Sequence, residues 1–163
     1  MTESAVAVLG FTGTSRALPA TSRDRIDGDL ATLVERHKPT GIVTGACVGV
    51  DAYVHHWFAD HFPEVRRTVV FPGNLKATDP SVADTAHEVQ RMPAGSSYRA
   101  RNTRMVELSD TMASFWTGQE RSGTYMTMNI ARRAQKLESK DIFGVGLSDS
   151  EVRNRYLELQ PTR

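Results

Sequence analysis

A single cysteine, Cys47, stands among 163 residues, so no disulfide can form within the chain. No apolar run approaches the roughly 20 residues that cross a bilayer. The opening Met1-Thr2-Glu3-Ser4 has none of the basic residues that begin a signal peptide. These absences predict a cytoplasmic protein with no membrane partner. An excess of one charge is also missing: 20 Lys and Arg face 19 Asp and Glu, a formal net charge of +1. Affinity for a nucleic-acid backbone rests on many Lys and Arg contacts, and this balance argues against it. Internal repeats and low-complexity tracts are lacking as well. The composition of 39% hydrophobic and 24% charged residues, with 12 Gly and 7 Pro, excludes collagen-like, disordered and coiled-coil chains. A chain of this length forms one domain able to bury its own core, expected over residues 1–148 with a polar tail at 149–163.

What is present is an alternation of short apolar runs and amphipathic stretches. Ala5-Val6-Ala7-Val8-Leu9 predicts a buried strand that ends at Gly10, with Gly13-Thr14-Ser15-Arg16 as its exit loop. Ile26, Leu30, Leu33 and Val34 at helical spacing predict a helix over 21–37, capped by Thr21-Ser22. A strand at Gly41–Thr44, a helix at Val50–Asp60 and a strand at Arg67–Phe71 follow. Between Asn74 and Met92 the pattern gives a short helix near Asp84 and a short strand at Glu88–Met92. A helix over 97–109, a strand at Thr111–Trp116, a helix at Ser122–Lys136 and a strand at Asp141–Val145 complete the series. The tail after Ser148 is compatible with a helix or with loose chain. Strands alternating with helices imply an α/β fold, with helices on both faces of a mostly parallel sheet.

In such sheets ligands bind beyond the carboxyl ends of the strands. Four segments fall there: Gly10–Arg16, Gly45–Asp51, Ser97–Met105 and Ser122–Thr127. Glycines admit a ligand close to the backbone, hydroxyls supply donors, and helix N-termini favour anions. The candidate ligand-binding residues are Gly13, Thr14, Ser15 and Arg16; Gly45, Ala46, Gly49 and Asp51; Arg99, Arg101 and Asn102; and Ser122, Gly123 and Thr124. The anion is expected over the helices that begin near Gly49 and Ser122. Any one of these glycine loops alone would be an ordinary turn. Arg101 and Arg104 share a helix face by i,i+3 spacing and would grip phosphate, the alternative being a solvated basic face. His55, His56 and His61 with Asp60 lack a recognised metal spacing, because adjacent helical residues diverge by about 100°; no metal and no cofactor are expected. Cys47 reads as a small buried thiol, Trp57 and Phe58 as core or dimer contacts, and Trp116 as core or as a base-stacking surface.

Gly45-Ala46-Cys47-Val48-Gly49-Val50-Asp51 followed by His55 resembles the Gly-Gly-Ala-Arg-Gly-Ile-Asp…His segment of the DNA-processing protein A family. In the same order, Arg101-Asn102, Leu108-Ser109-Asp110 and Ser122-Gly123-Thr124-Tyr125-Met126-Thr127 with Ala131 resemble that family's later motifs. The resemblance covers residues 5–145 and implies the SLOG superfamily, which also holds the lonely-guy phosphoribohydrolases and stand-alone proteins that sense nucleotide-like ligands. It implies a Rossmann-like three-layer αβα sandwich, a nucleotide-like small-molecule partner, and a homodimer formed through the helices bearing Trp57 or Met126. Val48 stands where DNA-processing protein A carries an arginine, and the chain has no room for that family's flanking domains. Single-stranded DNA binding is therefore the least favoured reading. Arg101 and Met105 match the Arg-x-x-x-Met of the phosphoribohydrolases, and Gly123-Thr124 match part of their Pro-Gly-Gly-x-Gly-Thr-x-x-Glu. Ser122 replaces a glycine of that motif, and Thr127 replaces its catalytic glutamate. Threonine cannot act as a carboxylate base, so a ligand-binding module or sensor is expected. The alternative is an enzyme that hydrolyses or transfers an N-glycosidic bond, with Asp51, Glu107 or Glu120 as the substitute carboxylate.

Overall fold

The computed structural model describes residues 7–160. Six strands, β1 (Val8–Gly13), β2 (Gly41–Gly45), β3 (Arg66–Phe71), β4 (Glu88–Arg91), β5 (Thr111–Trp116) and β6 (Ile142–Gly144), form one sheet in the order β4-β3-β2-β1-β5-β6. Every neighbouring pair is parallel. The helices are α1 (Ala20–His37), α2 (Val50–His61), α3 (Val82–Thr85), α4 (Tyr98–Leu108), α5 (Gly123–Arg133) and α6 (Asp149–Glu158).

Alternation along the strands builds the layers. Leu9, Phe11, Ile42, Ala113, Phe115 and Phe143 pack with Ile26, Leu30 and Leu33 of α1 and Val54 and Phe58 of α2. The intervening residues face the other way: Val43 and Val70 meet Met105 of α4, Met112 meets Val106 and Ala131, and Trp116 and Ile142 meet Met128, Val152 and Tyr156. Strands covered on both faces are largely apolar on both faces: β2 carries Ile42-Val43 and β5 carries Met112-Ala113 and Phe115-Trp116, interrupted by the buried hydroxyl residues Thr44 and Ser114. The fold is α/β, an all-parallel sheet between helical layers, consistent with a Rossmann-like three-layer sandwich. The chain steps outward from β1 to β4, then α4 carries it back so that β5 pairs on the free side of β1. That reversal leaves a crevice at the carboxyl ends of the central strands.

Several boundaries differ from those expected. β1 runs to Gly13 and does not stop at Gly10, because Gly10–Gly13 pair in register with Met112–Phe115. Phe11 is fully buried between Phe58 and Phe115, at ring distances of 5.7 and 6.4 Å. The N-cap of α1 is Pro19, which has no side-chain cap, and Thr21-Ser22 lie inside the first turn. α5 ends at Arg133, short of Lys136, with Gln135 in the left-handed region at φ 59°. The polar segment after Ser148 forms α6, opened by a capping box in which Ser148 Oγ accepts from Glu151 N at 3.1 Å and Glu151 Oε1 accepts from Ser148 N at 3.0 Å. Trp57 is buried in the α2 side of the core and stacks on His61 at 4.7 Å, so it is a core residue. The expected strand residues Ala5 and Val6, with Met1–Ser4 and residues 161–163, lie outside the described residues. Among those described, no helix is long and apolar enough to cross a membrane.

Candidate functional site

A crevice of about 370 Å³ opens where β1, β2 and β5 end, and all four segments marked in the sequence contribute to its walls. Gly13, Thr14, Ser15 and Arg16 come from the end of β1 and its exit loop, and Cys47 and Asp51 from the β2–α2 connection. One face of α4 supplies Tyr98, Arg101, Asn102 and Met105. The β5–α5 connection supplies Thr117, Gln119, Arg121, Ser122, Gly123 and Thr124, with Thr127 one turn further on.

Two glycines of the second segment make this packing possible without lining it. Gly49 has φ +90°, and a Cβ there would lie 2.5 Å from Thr14 O and 2.7 Å from Arg16 O. Only glycine allows α2 to begin against the first loop, where Val50 N donates to Thr14 O at 3.0 Å. At Gly45 a Cβ would lie 2.5 Å from Asp51 Oδ2 and would overlap the Arg101 guanidinium. Ala46 is fully buried against Ala52, Val69, Phe71 and Val82. Gly45, Ala46 and Gly49 are thus framework beneath the crevice. The N-terminus of α2 is also occupied: Cys47 N donates to Asp51 Oδ2 at 3.3 Å, so the first-turn carboxylate already answers that end of the helix. The Asp51 carboxylate of that first turn itself lines the crevice.

Arg101 is the central side chain. It is only 6% exposed. Its Nε donates to Asn102 Oδ1 at 2.9 Å, its Nη1 reaches Val70 O at 3.4 Å, and its Nη2 reaches Cys47 Sγ at 3.7 Å. The Tyr98 ring centroid lies 5.6 Å from its Cζ. Among the described residues no carboxylate comes within 4.0 Å of it. Arg104 does not share this face. It turns toward β4, where Nε donates to Gln90 Oε1 at 3.0 Å and Nη1 lies 3.6 Å from Glu107. Arg99 is exposed and does not line the crevice.

Asp51, 6% exposed, is the one carboxylate lining the crevice among the described residues. Burial pushes its carboxyl up to about 6, against the opposing pull of Arg101 and of the Cys47 N–H. Burial and the Asp51 charge push the Cys47 thiol up as well, so Cys47 is a buried thiol with a small accessible face. Ser122 caps α5: its Oγ accepts from Tyr125 N at 3.1 Å and donates to Gln119 O at 3.0 Å. Thr127 Oγ1 donates back to Gly123 O at 2.9 Å. Trp116 is fully buried, stacks on Tyr125 at 5.3 Å and anchors the lining loop through Nε1 to Gln119 O at 2.8 Å. It packs in the core and offers the crevice no stacking face.

Gln119 and Arg121 escaped the sequence reading although they follow β5 directly, where strand-end loops gather around a ligand. Tyr98 and Met105 lie at i−3 and i+4 from Arg101, the spacing that puts them on its face. The histidines diverge: His55 Nε2 bonds Thr85 Oγ1 at 2.7 Å, His56 Nε2 bonds Ser81 Oγ at 3.2 Å, and His61 Nδ1 bonds Trp57 O at 2.9 Å. Among the described residues no three His, Cys, Asp or Glu side chains gather as a metal ion would require. Comparison with models of known protein families finds no match, and comparison with curated proteins likewise finds none.

Proposed function

We propose that the crevice binds a nucleotide or a nucleotide-derived phosphate ligand, and that the chain acts as a sensor or ligand-binding module of the SLOG type. The observation that carries this reading is the buried Arg101 guanidinium, which lines the crevice with no carboxylate within 4.0 Å among the described residues. Asp51, the nearest lining carboxylate, makes no ion pair with it, and a phosphate would engage the guanidinium directly through paired N–H bonds. The backbone N–H groups of Gly123 and Thr124, at the start of the 11-residue α5, have no partners within the helix and add a favourable dipole. Arg16 and Arg121 line the same space from two separate loops, and Tyr98 offers a ring to a base. The volume lies within the range of small-molecule sites, roughly 300–1,000 Å³.

Calorimetry with a panel of mono-, di- and cyclic nucleotides tests the reading. Binding of at least one, abolished or strongly weakened in Arg101→Ala, is expected; a panel that gives no binding overturns it. Native mass spectrometry of protein purified from cells would identify a retained ligand directly.

The enzyme reading has one observation in its favour, the Asp51 carboxylate on the crevice wall. Thr127, at the position of the phosphoribohydrolase glutamate, has its hydroxyl engaged with Gly123 O, and Glu107 and Glu120 are exposed outside the lining. We expect no free base released from adenosine monophosphate above background in a chromatographic assay. Turnover lost in Asp51→Asn would replace the sensor reading by the enzyme. For the homodimer expected from the same resemblance, α5 offers the half-buried Met126, while on α2 the Trp57 side chain is enclosed within the protomer and only the outer face of that helix remains.

A further inference from the structure

A buried carboxylate is an odd neighbour for an anion. Asp51 and Arg101 reach the same point above Gly45, where a Cβ would strike both. Both line the crevice, and they form no ion pair within 4.0 Å among the described residues. An anion docked on Arg101 therefore sets its negative charge beside that of Asp51, and both residues are only 6% exposed. Like charges so placed favour the protonated form of a carboxyl group. We propose that Asp51 binds the ligand's anionic group as a neutral carboxylic acid, taking one proton from solvent as the anion docks on Arg101. This inference rests on the anion-binding reading of the crevice.

The hydrogen-bonding pattern supplies the place for that proton. Asp51 Oδ2 accepts from Cys47 N at 3.3 Å. Oδ1 takes no hydrogen bond from the protein among the described residues, and is not one of the fully enclosed unpaired atoms. Protonated there, the group changes from acceptor to O–H donor. The charged and titratable groups that face it are few. Arg101 and the Tyr98 phenol come from α4, the Cys47 thiol from the β2–α2 connection, and Arg16 and Arg121 from the two other lining loops. β1, β3 and α5 bring no titratable side chain to the lining, and His55, one turn along α2, is turned to Thr85. Burial already raises the Asp51 carboxyl to about 6, so protonation near neutral pH requires only a modest further push.

Sulfate is the probe for the test, because it keeps both charges throughout the range, whereas a phosphate monoester titrates at about pH 6. Sulfate affinity should be nearly constant below about pH 6 and weaken by about tenfold per unit from there toward about pH 8. Calorimetry in two buffers of different ionisation enthalpy should report uptake of close to one proton on the alkaline side. Asp51→Asn keeps the Cys47 contact; its affinity should be independent of pH and should exceed that of the wild type at alkaline pH. Sulfate affinity that is flat in the wild type, or a slope that persists in Asp51→Asn, overturns the proposal. Adenosine monophosphate, run in parallel, separates the two failures. Nucleotide binding without proton uptake removes this inference alone, and absence of binding by both probes to both proteins removes the anion site with it.

Discussion

The side chains of Arg101 and Asn102, adjacent in the chain, hydrogen-bond each other, Nε to Oδ1 at 2.9 Å. Neighbours on a helix ordinarily point apart. Here both are buried, Asn102 is 4% exposed, and its Nδ2 lies 3.7 Å from Met126 S of α5. Asn102 thus ties the guanidinium, which lines the crevice, to the α4–α5 contact.

Replacing Arg101 with Ala should cost about 1.5–3 kcal/mol of nucleotide binding, the range for hydrogen bonds to charged groups. Asn102→Ala should cost less, about 0.5–1.5 kcal/mol, since the guanidinium remains but loses its anchor. Arg133→Ala, exposed at the end of α5, is the control and should bind as the wild type does. Arg153 is unsuited to that purpose because it donates to Ile142 O and Lys140 O, both at 2.9 Å, and covers the Phe143 ring. Titration calorimetry measures all three variants.

Two alanine substitutions separate framework from site. Gly49→Ala forces a side chain into φ +90° and against the Thr14 carbonyl, and should destabilise the protein by about 1–3 kcal/mol in urea unfolding. Gly45→Ala pushes on the Arg101 guanidinium and the Asp51 carboxylate, and should weaken ligand binding more than it lowers the unfolding midpoint.

Stability should fall as pH drops from about 6.5 toward 4 through His55. The imidazole is fully buried with Nδ1 unpaired, and burial, His56, Arg67 and His87 lower it to about 4 against the pull of Asp79. The folded state then binds fewer protons than the unfolded chain in that window, so its stability is present above the unfolded value and lost through the folded one. Asp51 and Asp29, each raised to about 6, have the opposite sign: their contribution is greatest below the ordinary carboxyl range and lost as pH rises through about 6. Urea unfolding across this range should show a weaker acid loss in His55→Gln than in the wild type. In Asp51→Asn stability should increase relative to the wild type above about pH 6.

Asp141, 1% exposed, joins the end of α1 to the approach to β6, with Arg36 Nη1 at 2.5 Å and His37 Nε2 at 3.1 Å. Asp141→Ala leaves both donors without their acceptor and should cost about 1.5–3 kcal/mol of stability. Ligand affinity should be unchanged, because none of the three residues lines the crevice. Urea unfolding and calorimetry together check it.

Much of the fold was legible because its signals are local. Thr111–Trp116 has the same bounds in sequence and structure, and Gly41–Gly45, Arg66–Phe71 and Val50–His61 differ from expectation by one residue. Short apolar runs bounded by glycine or proline match doubly covered strands, and the spacing of Ile26, Leu30 and Leu33 matches one helix face. The end of β1 was less legible, because Gly10-Phe11-Thr12-Gly13 has the composition of a turn until β5 pairs with it.

The alternation of strands and helices, and with it the gathering of four loops at one end of the sheet, is written in the sequence by itself, since period and turn chemistry act within a few residues. Three decisions belong to the tertiary structure alone. The azimuth of α4 turns Arg101 inward and sends Arg104 to Gln90, although their spacing alone treats them alike. The approach of the first loop to α2 makes Gly49 a packing glycine, while the approach of α4 to β2 does the same for Gly45. The β5–α5 loop, tied by Gln119 O to Trp116 Nε1, brings Arg121 to the crevice that Arg101 also lines. Each depends on which surfaces of distant elements meet, and a helix face or a glycine is defined locally only up to that contact.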